Sequence, residues 1–346
     1  MHAQAALRSA DVTPAISGAH LPSLAGAMHQ TAGIGAEKRA RPARVVPLLD
    51  GPGTVRHTAL QSSPGSAAPV TPGLGFDGIG IGIGIGVGIG AGRGSYVTRY
   101  APPDTTGPVG AAQYVQWVHA DIAAFGKATG VLAPGFPKAS NALFAGLGGP
   151  CETSNDGDPM VQYDKAVNCW ILSQFAVPGG TAGYWQCVAV SAAADATGGY
   201  YRYAFPYTQF NDYPKLGVWT DGYYTTFNMF TSTFQGAKMC AYDRARMLAG
   251  LSATQQCFQL STSYGGVLPA DLDGATAPPA GAPNYLVAKR STSLAFWKFH
   301  VDWANPANTV LSAPAQIPIA ASNAAAAAPA SRRAARRSSS IHWLTG

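Results

Sequence analysis

A single stretch decides the fold of this chain: Gly157-Asp158-Pro159-Met160-Val161-Gln162-Tyr163-Asp164, followed after a polar turn by Trp170-Ile171-Leu172-Ser173-Gln174-Phe175. Gly, Asp and Pro are typical of turns, and short runs rich in aromatic and β-branched residues are typical of strands. The stretch therefore predicts a turn, a short strand, a second turn and an aromatic strand.

A looser copy of this pattern begins at Asp212, with a turn at Thr220-Asp221-Gly222 and a second strand from Tyr223 to Phe230. Aromatic second strands recur at intervals of roughly 55 to 75 residues, near Tyr114, Trp170, Tyr223 and Phe296. Many short strands, few helices and no alternation of strand and helix predict an all-β fold. A repeat of this length with one aromatic anchor per unit suits an incomplete β-propeller of about four blade-like units.

Composition divides the 346 residues into three regions. Residues 1–99 are rich in Ala, Gly, Pro and Ser and include a Gly-Ile repeat from Gly78 to Gly90, so we predict a disordered, low-complexity region. Residues 100–319 hold all five Cys and form the predicted β-propeller-like domain. Residues 320–346 are Ala, Ser and Arg, and we predict a disordered basic tail.

The net charge of +6 belongs to the flanks. Residues 1–99 carry eight Lys or Arg against four acidic residues, and the tail carries four Arg and no acidic residue. The domain between them therefore has 11 basic and 13 acidic residues. A nucleic-acid partner would need basic residues on a folded face, so we expect none. The apolar runs are too short for a transmembrane segment.

Five cysteines leave at least one thiol outside any intramolecular pair. Strand and loop positions suggest two local disulfides, Cys151 with Cys187 and Cys240 with Cys257, with Cys169 left over. Five reduced, buried thiols fit the spacing equally well. The low charged fraction and the abundance of Gly, Thr, Tyr and Asn favour an exported protein, extracellular or periplasmic.

The N-terminal sequence has no basic start followed by a long apolar run, so no signal peptide is visible. Ala3-Gln4-Ala5 has the small-x-small form of a cleavage site. One hypothesis is that the start codon lies further upstream and that only the end of a signal peptide is present here.

The run from Ala101 to Ala320 resembles a family of secreted bacterial proteins of unknown function. The stretches that carry the resemblance are Ala101-Pro102-Pro103-Asp104-Thr105-Thr106-Gly107, Gly157-Asp158-Pro159, Asn211-Asp212-Tyr213-Pro214-Lys215-Leu216-Gly217-Val218-Trp219 and Cys240-Ala241-Tyr242-Asp243-Arg244-Ala245-Arg246-Met247-Leu248. The resemblance implies a propeller distantly similar to sialidase-type repeats, in members about twice as long.

Two departures from that family matter. Cys169 stands where the family more often has Arg before Trp170. The resemblance also stops after Pro318-Ile319-Ala320, and a one-base shift in the coding sequence for the last residues restores a family-like continuation. We therefore hypothesise that residues from about 321 onward are a frameshifted read-through and that the ring is truncated.

Glycoside hydrolysis needs a pair of carboxylates, and the catalytic candidates at strand edges are Asp104, Asp158 and Asp212. Asp beside Gly or Pro is first a turn residue, however. A sialidase-like site would also need clustered Arg, and the core offers only Arg202, Arg244, Arg246 and Arg290. His119 and His300 receive no role, and no serine nucleophile motif is present.

Calcium is the one cofactor that the sequence suggests, through Asp156 with Asp158 and Asp271 with Asp273. Neither pair has the full spacing of an EF-hand loop, so turn roles are favoured and no metal site is assigned. Seven tyrosines would stack on sugars or fill interfaces between blades, and packing is the favoured role; they are Tyr200, Tyr201, Tyr203, Tyr207, Tyr213, Tyr223 and Tyr224.

We expect a secreted binding or scaffold module for cell-surface carbohydrate or protein, and we lean against an enzyme. The alternatives are a sialidase-like glycoside hydrolase and a non-functional truncated fragment.

Overall fold

A computed structural model describes residues 5–27, 74–81, 97–98, 103–178, 180–320 and 340–341. Within these ranges the fold is all-β, with several antiparallel sheets and short helices between them. The part of the Gly-Ile repeat from 82 to 90 lies outside the described residues, as does most of the tail from 321. No helix in the described ranges is long and apolar enough to cross a membrane.

In the part of residues 1–102 that the structure describes, six short strands precede the main sheets. They are β1 (Leu7–Arg8), β2 (Asp11–Pro14), β3 (Ile16–Ser17), β4 (Phe76–Asp77), β5 (Gly80–Ile81) and β6 (Val97–Thr98). β5 pairs with β6 in parallel, while β1 to β3 pair with later sheets.

Unit 1 is an antiparallel meander of residues 103–139. It contains β7 (Gln113–Val118), β8 (Asp121–Gly126) and the short β9 (Lys138–Ala139). The extended residues before β7 act as a first strand, because Thr106 and Trp117 exchange backbone hydrogen bonds of 3.0 and 2.9 Å.

Units 2 and 3 are complete four-stranded meanders. Unit 2 comprises β10 (Met160–Asp164), β11 (Cys169–Ala176), β12 (Tyr184–Ser191) and β13 (Tyr200–Tyr207). Unit 3 comprises β14 (Phe210–Val218), β15 (Tyr223–Phe230), β16 (Phe234–Tyr242) and β17 (Thr254–Gln259). Helix α1 (Gly149–Thr153) precedes unit 2, and α2 (Arg244–Leu248) follows β16.

Unit 4 follows the same order with shorter outer strands. It comprises β18 (Leu268–Pro269), β19 (Asn284–Lys289), β20 (Ser293–His300) and β21 (Val310–Leu311), and β22 (Ala315–Pro318) also pairs with β20. The last strand, β23 (Ser340–Ile341), pairs with β4. Within the described ranges, three short 3-10 helices lie between the strands, at Ser140–Phe144, Gly180–Ala182 and Pro306–Asn308.

The hydrophobic core lies between successive units. Every residue of β11 and of β15 is buried, which requires packing on both faces of the sheet. Trp117 of unit 1 and Leu172 of unit 2 share one cluster, and Ile171 of unit 2 and Phe227 of unit 3 share the next. Tyr224 and Trp297 then belong to the cluster between units 3 and 4. Each unit therefore buries its apolar faces against its neighbours.

The predicted packing role of the tyrosines holds for most of them. Tyr200, Tyr203, Tyr207, Tyr223 and Tyr224 are all buried. Tyr201 is half-buried and packs on the cluster between units 2 and 3, and Tyr213 is the exception, with 47 % of its surface exposed. Phe296 lies on β20, the third strand of unit 4, so the prediction that it marks a second strand is wrong; Tyr285 on β19 holds that position.

Disorder throughout residues 1–99 is also a wrong prediction. Residues 7–17 form β1, β2 and β3 on the outer edges of units 4, 3 and 2, and Phe76 and Ile79 pack on the outer face of unit 1. Edge strands are held largely by backbone hydrogen bonds, which any side-chain pattern permits. Ser340–Ile341 likewise departs from the predicted disordered tail.

Candidate functional site at the first strands

Three aspartates occupy equivalent places, where the first strands of units 1, 2 and 3 begin. Asp104, Asp158 and Asp212 follow one another at intervals of 54 residues, and another 54 residues lead to Gly266 before the first strand of unit 4. The three catalytic candidates that the sequence nominates separately therefore recur at one constant spacing, each near the start of a first strand.

The backbone at these starts has an unusual conformation. Asp104 has φ +41°, Asp158 +46° and Tyr213 +56°, while Gly266 has +61°. Few non-glycine residues have positive φ, and Asp tolerates it better than most others. Such residues cluster at turns and at functional sites, where the surrounding structure holds them in place.

Lys215 lies near all three aspartates. Burial lowers the pKa of its ammonium group, and the nearby carboxylates of Asp158, Asp104 and Asp212 act in the opposite direction. The side chain donates 2.8 Å to the carbonyl of Pro214. Three carboxylates and one partly buried ammonium thus share one electrostatic environment at this end of the first strands.

His119 adds a titratable group beside Asp104. Its Nδ1 lies 3.4 Å from Oδ2 of Asp104, and its backbone amide donates 2.8 Å to Pro103. The imidazole packs on Gly157, where a Cβ would lie 2.8 to 2.9 Å from three ring atoms. Gly157, with φ +93°, therefore brings the backbone of unit 2 against the ring of unit 1.

Tyr213 supplies the exposed ring of the cluster. The Nζ of Lys215 lies 3.7 Å from the ring centroid, which is cation–π distance. We refer to Asp104, His119, Asp158, Asp212, Tyr213 and Lys215 as the first-strand cluster. The cluster combines hydrogen-bond acceptors, one cation and one aromatic face, which suits a polar ligand with hydroxyl groups.

The two aspartate pairs proposed for calcium lie beyond opposite ends of β10. Asp156 is buried and accepts 2.6 Å from the amide of Val177, and Asp158 belongs to the first-strand cluster. Beyond the other end of β10, Asp271 accepts 2.7 Å from the amide of Val218, while the exposed Asp273 lies 3.7 Å from Lys165. Across the described ranges, no group of three or more His, Cys, Asp or Glu side chains is arranged to hold a metal ion.

The core arginines are each engaged at a different place. Arg202 is buried and donates to the carbonyls of Ala145 and Ala19. Arg244 pairs with Asp164, Arg246 donates to Ser252, and Arg290 donates to Ser263. Among the described residues no arginine cluster faces the first-strand cluster, so the carboxylate-binding feature of a sialidase is missing there.

Two disulfides stabilise the units, and they join the pairs that the sequence suggests. Cys151 of α1 bonds to Cys187 of β12, with Cα atoms 5.6 Å apart. Cys240 and Cys257 face each other across β16 and β17, with Cα atoms 4.1 Å apart. Cys169 is a buried free thiol, and burial raises its pKa. Disulfides of this kind are typical of proteins of oxidising compartments.

Comparison with models of known protein families, with curated proteins and with solved structures gives no match. The first-strand cluster is therefore interpreted from its own residues.

Sequence reasoning missed Lys215, His119 and Tyr213 as members of the cluster. The signal that would have found it is the constant spacing of Asp104, Asp158 and Asp212, each followed by a proline within four residues. Residues that recur at one position of a repeat lie side by side when the repeats stack.

Proposed function

We propose that this chain is an arc of four β-propeller blades whose first-strand cluster binds carbohydrate or protein of the cell surface outside the cytoplasm. Each unit is a meander, and each packs its faces on the next, as blades do. The first strands of neighbouring units also approach closely: Gln162 on β10 donates 3.0 Å to the carbonyl of Leu216 on β14.

Small residues allow the same close approach between other pairs of neighbouring units. A Cβ at Gly217 would lie 2.4 Å from the carbonyl oxygen of Ala270, and one at Gly110 would lie 2.5 Å from the ring of Trp170. First strands packed side by side favour a radial arrangement, in which equivalent residues of successive blades converge.

The proximity of Asp104, Asp158 and Asp212 to Lys215, together with the contacts of His119 with Asp104 and with Gly157, carries the functional proposal. Carboxylates accept hydrogen bonds from sugar hydroxyls or from backbone amides of a protein partner. The exposed ring of Tyr213 adds an apolar face for stacking. Ligand sites commonly combine a few convergent polar groups with an aromatic surface.

A glycan array and a panel of candidate cell-surface proteins test this proposal on the full chain with its disulfides formed. Asp104→Asn, Asp158→Asn and Asp212→Asn remove charge while keeping the size of the side chain, and Asn tolerates the positive φ of Asp104 and Asp158. We expect each to weaken binding about tenfold or more, because a hydrogen bond involving a charged group contributes about 1.5–3 kcal/mol. Asp273→Asn, at an exposed aspartate, is the matched control and should bind normally.

A glycoside hydrolase is the second candidate, because the structure brings all three catalytic candidates to one cluster. A panel of chromogenic glycosides distinguishes it from a binding module. Turnover that Asp158→Asn or Asp212→Asn abolishes favours the enzyme, while binding without turnover favours the module. A ligand for which none of the three aspartate variants changes either affinity or turnover would contradict both.

A further inference from the structure

The N-terminal residues Leu7–Ala27, here called the belt, run along the outer edges of the units in reverse order. β1 pairs with β21 of unit 4, β2 with β17 of unit 3 and β3 with β13 of unit 2. Beyond β3, Leu21 and Tyr200 exchange two backbone hydrogen bonds of 2.9 Å. The belt then reaches unit 1, where Lys138 donates 2.7 Å to the carbonyl of Ala27.

Backbone groups carry most of this attachment. The amides of Ala15, Leu24 and Ala25 donate to Ala253, Gly198 and Thr197 at 2.7 to 2.9 Å. The side chains of Val12 and Ile16 are 47 % and 53 % exposed. Recognition of an extended segment by a sheet edge is β-augmentation, in which main-chain hydrogen bonds supply affinity and a few pockets supply specificity.

Two leucines provide the specificity. Leu24 is fully buried and Leu21 is 7 % exposed, and both belong to the core cluster between units 1 and 2. Arg202 supports this end of the belt by donating to the carbonyl of Ala19. The belt therefore has a firmly anchored part, near Leu21 and Leu24, and an edge-paired part from β1 to β3.

The connection from the belt to the rest of the chain is long. Residues 28–73 separate Ala27 from Leu74, a total of 46 residues. Such a length spans up to roughly 150 Å when extended, whereas a domain of about 220 residues is only on the order of 45 Å across. Chain length therefore permits the belt of one copy to reach the outer edges of another.

We propose that the belt is a strand donor that is exchangeable between copies, so that the outer edges of units 2, 3 and 4 bind the belt of a second copy of this chain. The partner is an extended segment of the same sequence, which binds to the edges of β13, β17 and β21. A belt on the same chain has the advantage of a high effective concentration, so exchange increases when the intrachain belt is weakened or the protein is concentrated.

A protease site inserted between Asp50 and Gly51 of the full chain tests the exchange. After cleavage, a fluorescent peptide of residues 5–27 is added in excess, and its co-elution with the folded protein is measured. We expect incorporation of the natural peptide. A peptide carrying Leu24→Asp should bind at least about tenfold more weakly, since it places a charge in the apolar site. A peptide carrying Ile16→Asp, at an exposed position, is the matched control and should be incorporated.

If the cleaved chain unfolds without its belt, a second measurement on uncut chains still tests the proposal. Uncut chains with two different affinity tags are mixed at high concentration, and co-purification of the two tags is measured. Co-purification that excess peptide abolishes supports exchange, and Leu24→Asp in the added peptide should remove this competition. Folded protein that takes up no peptide and whose two tags never co-purify overturns the proposal, as does equal uptake of all three peptides.

Discussion

Arg244 and Asp164 form an ion pair that joins unit 3 to unit 2. The guanidinium Nε lies 2.6 Å from Oδ2 of Asp164, and the hydroxyl of Tyr223 donates to the same oxygen at 3.1 Å. The side chain of Asp164 is 1 % exposed and that of Arg244 13 % exposed. The pair closes the end of β10 against the start of β15, opposite the end at which the first-strand cluster lies.

Asp164→Asn should lower the free energy of unfolding by about 3–5 kcal/mol, because it leaves a largely buried guanidinium without its counter-charge. The double variant Asp164→Leu with Arg244→Met should recover much of this loss. Lys165→Ala is the control, since Lys165 and Asp273 form an exposed pair whose removal costs about 1 kcal/mol or less. Denaturant titration of the variants measures these differences, and equal effects of Asp164→Asn and Lys165→Ala would contradict the inference.

Gly157→Ala should perturb the first-strand cluster directly. Its φ of +93° is unfavourable for alanine, and the new Cβ would lie within 2.9 Å of the His119 ring. We expect a loss of about 2–4 kcal/mol, from backbone strain together with overpacking.

The matched control for this change is Gly148→Ala. Gly148 has φ +78° and ψ 168° but nothing within 4 Å of a Cβ, so only the backbone strain of about 1–3 kcal/mol applies. Thermal unfolding compares the two variants, and NMR signals of His119 should shift in Gly157→Ala alone. Identical losses of stability in the two variants would show that the contact with the His119 ring adds nothing to the cost of Gly157→Ala.

The two disulfides should account for a large part of the stability. The Cys240–Cys257 bond closes a loop with a sequence separation of 17, and Cys151–Cys187 one of 36. Loop-closure entropy predicts losses of about 3 and about 4 kcal/mol when each pair is replaced by serine. Cys169→Ala should cost less, because it breaks no covalent bond and removes only weak hydrogen bonds of the thiol, such as that of 3.4 Å to the carbonyl of Val167.

Thiol counting checks the pairing without any variant. In denaturant without reductant, one thiol should react with a maleimide, and after reduction five should react. Three or five reactive thiols before reduction would contradict the disulfides.

The sequence predicts the units better than it predicts their surroundings. The sequence predicts strands at Met160 to Asp164 and Trp170 to Phe175, and the structure has β10 and β11 there. Aromatic residues and turns with Asp and Pro mark these elements locally. The belt carries no such signal, since its strands are two to four residues long and are selected by sheet edges far along the chain.

The sequence predicts only part of the candidate site, for a similar reason. Asp104, Asp158 and Asp212 are recognisable one at a time as turn residues, and the structure adds their convergence around Lys215. Convergence depends on the stacking of whole units, which no local pattern specifies. His119 shows the same limitation, because its contact with Gly157 joins residues of two different units.

Tyr114 should make the protein sensitive to alkali. Its side chain is 3 % exposed and packs near Phe76 and Phe125, and burial raises its pKa to about 12 from the ordinary value of 10.0. Above pH 10 the unfolded chain loses this proton while the folded chain keeps it. Stability is therefore fully present below pH 10 and falls as the pH rises towards 12, by about 2–3 kcal/mol from this residue alone.

Tyr114→Phe keeps the ring and removes the ionisable group, so it should reduce the loss of stability between pH 10 and pH 12 by the share of this residue. The other buried tyrosines whose pKa burial raises, such as Tyr203, keep their contribution. The comparison at pH 8 is the control, because the Tyr114 hydroxyl is protonated in both states there and the pH-dependent difference between the two chains should vanish. Urea titrations at pH 8, 10 and 11.5, followed by tryptophan fluorescence, measure the slope for each variant. Equal slopes for the natural chain and Tyr114→Phe would mean that the hydroxyl reaches solvent, and the packing of Phe76 on unit 1 would then need revision.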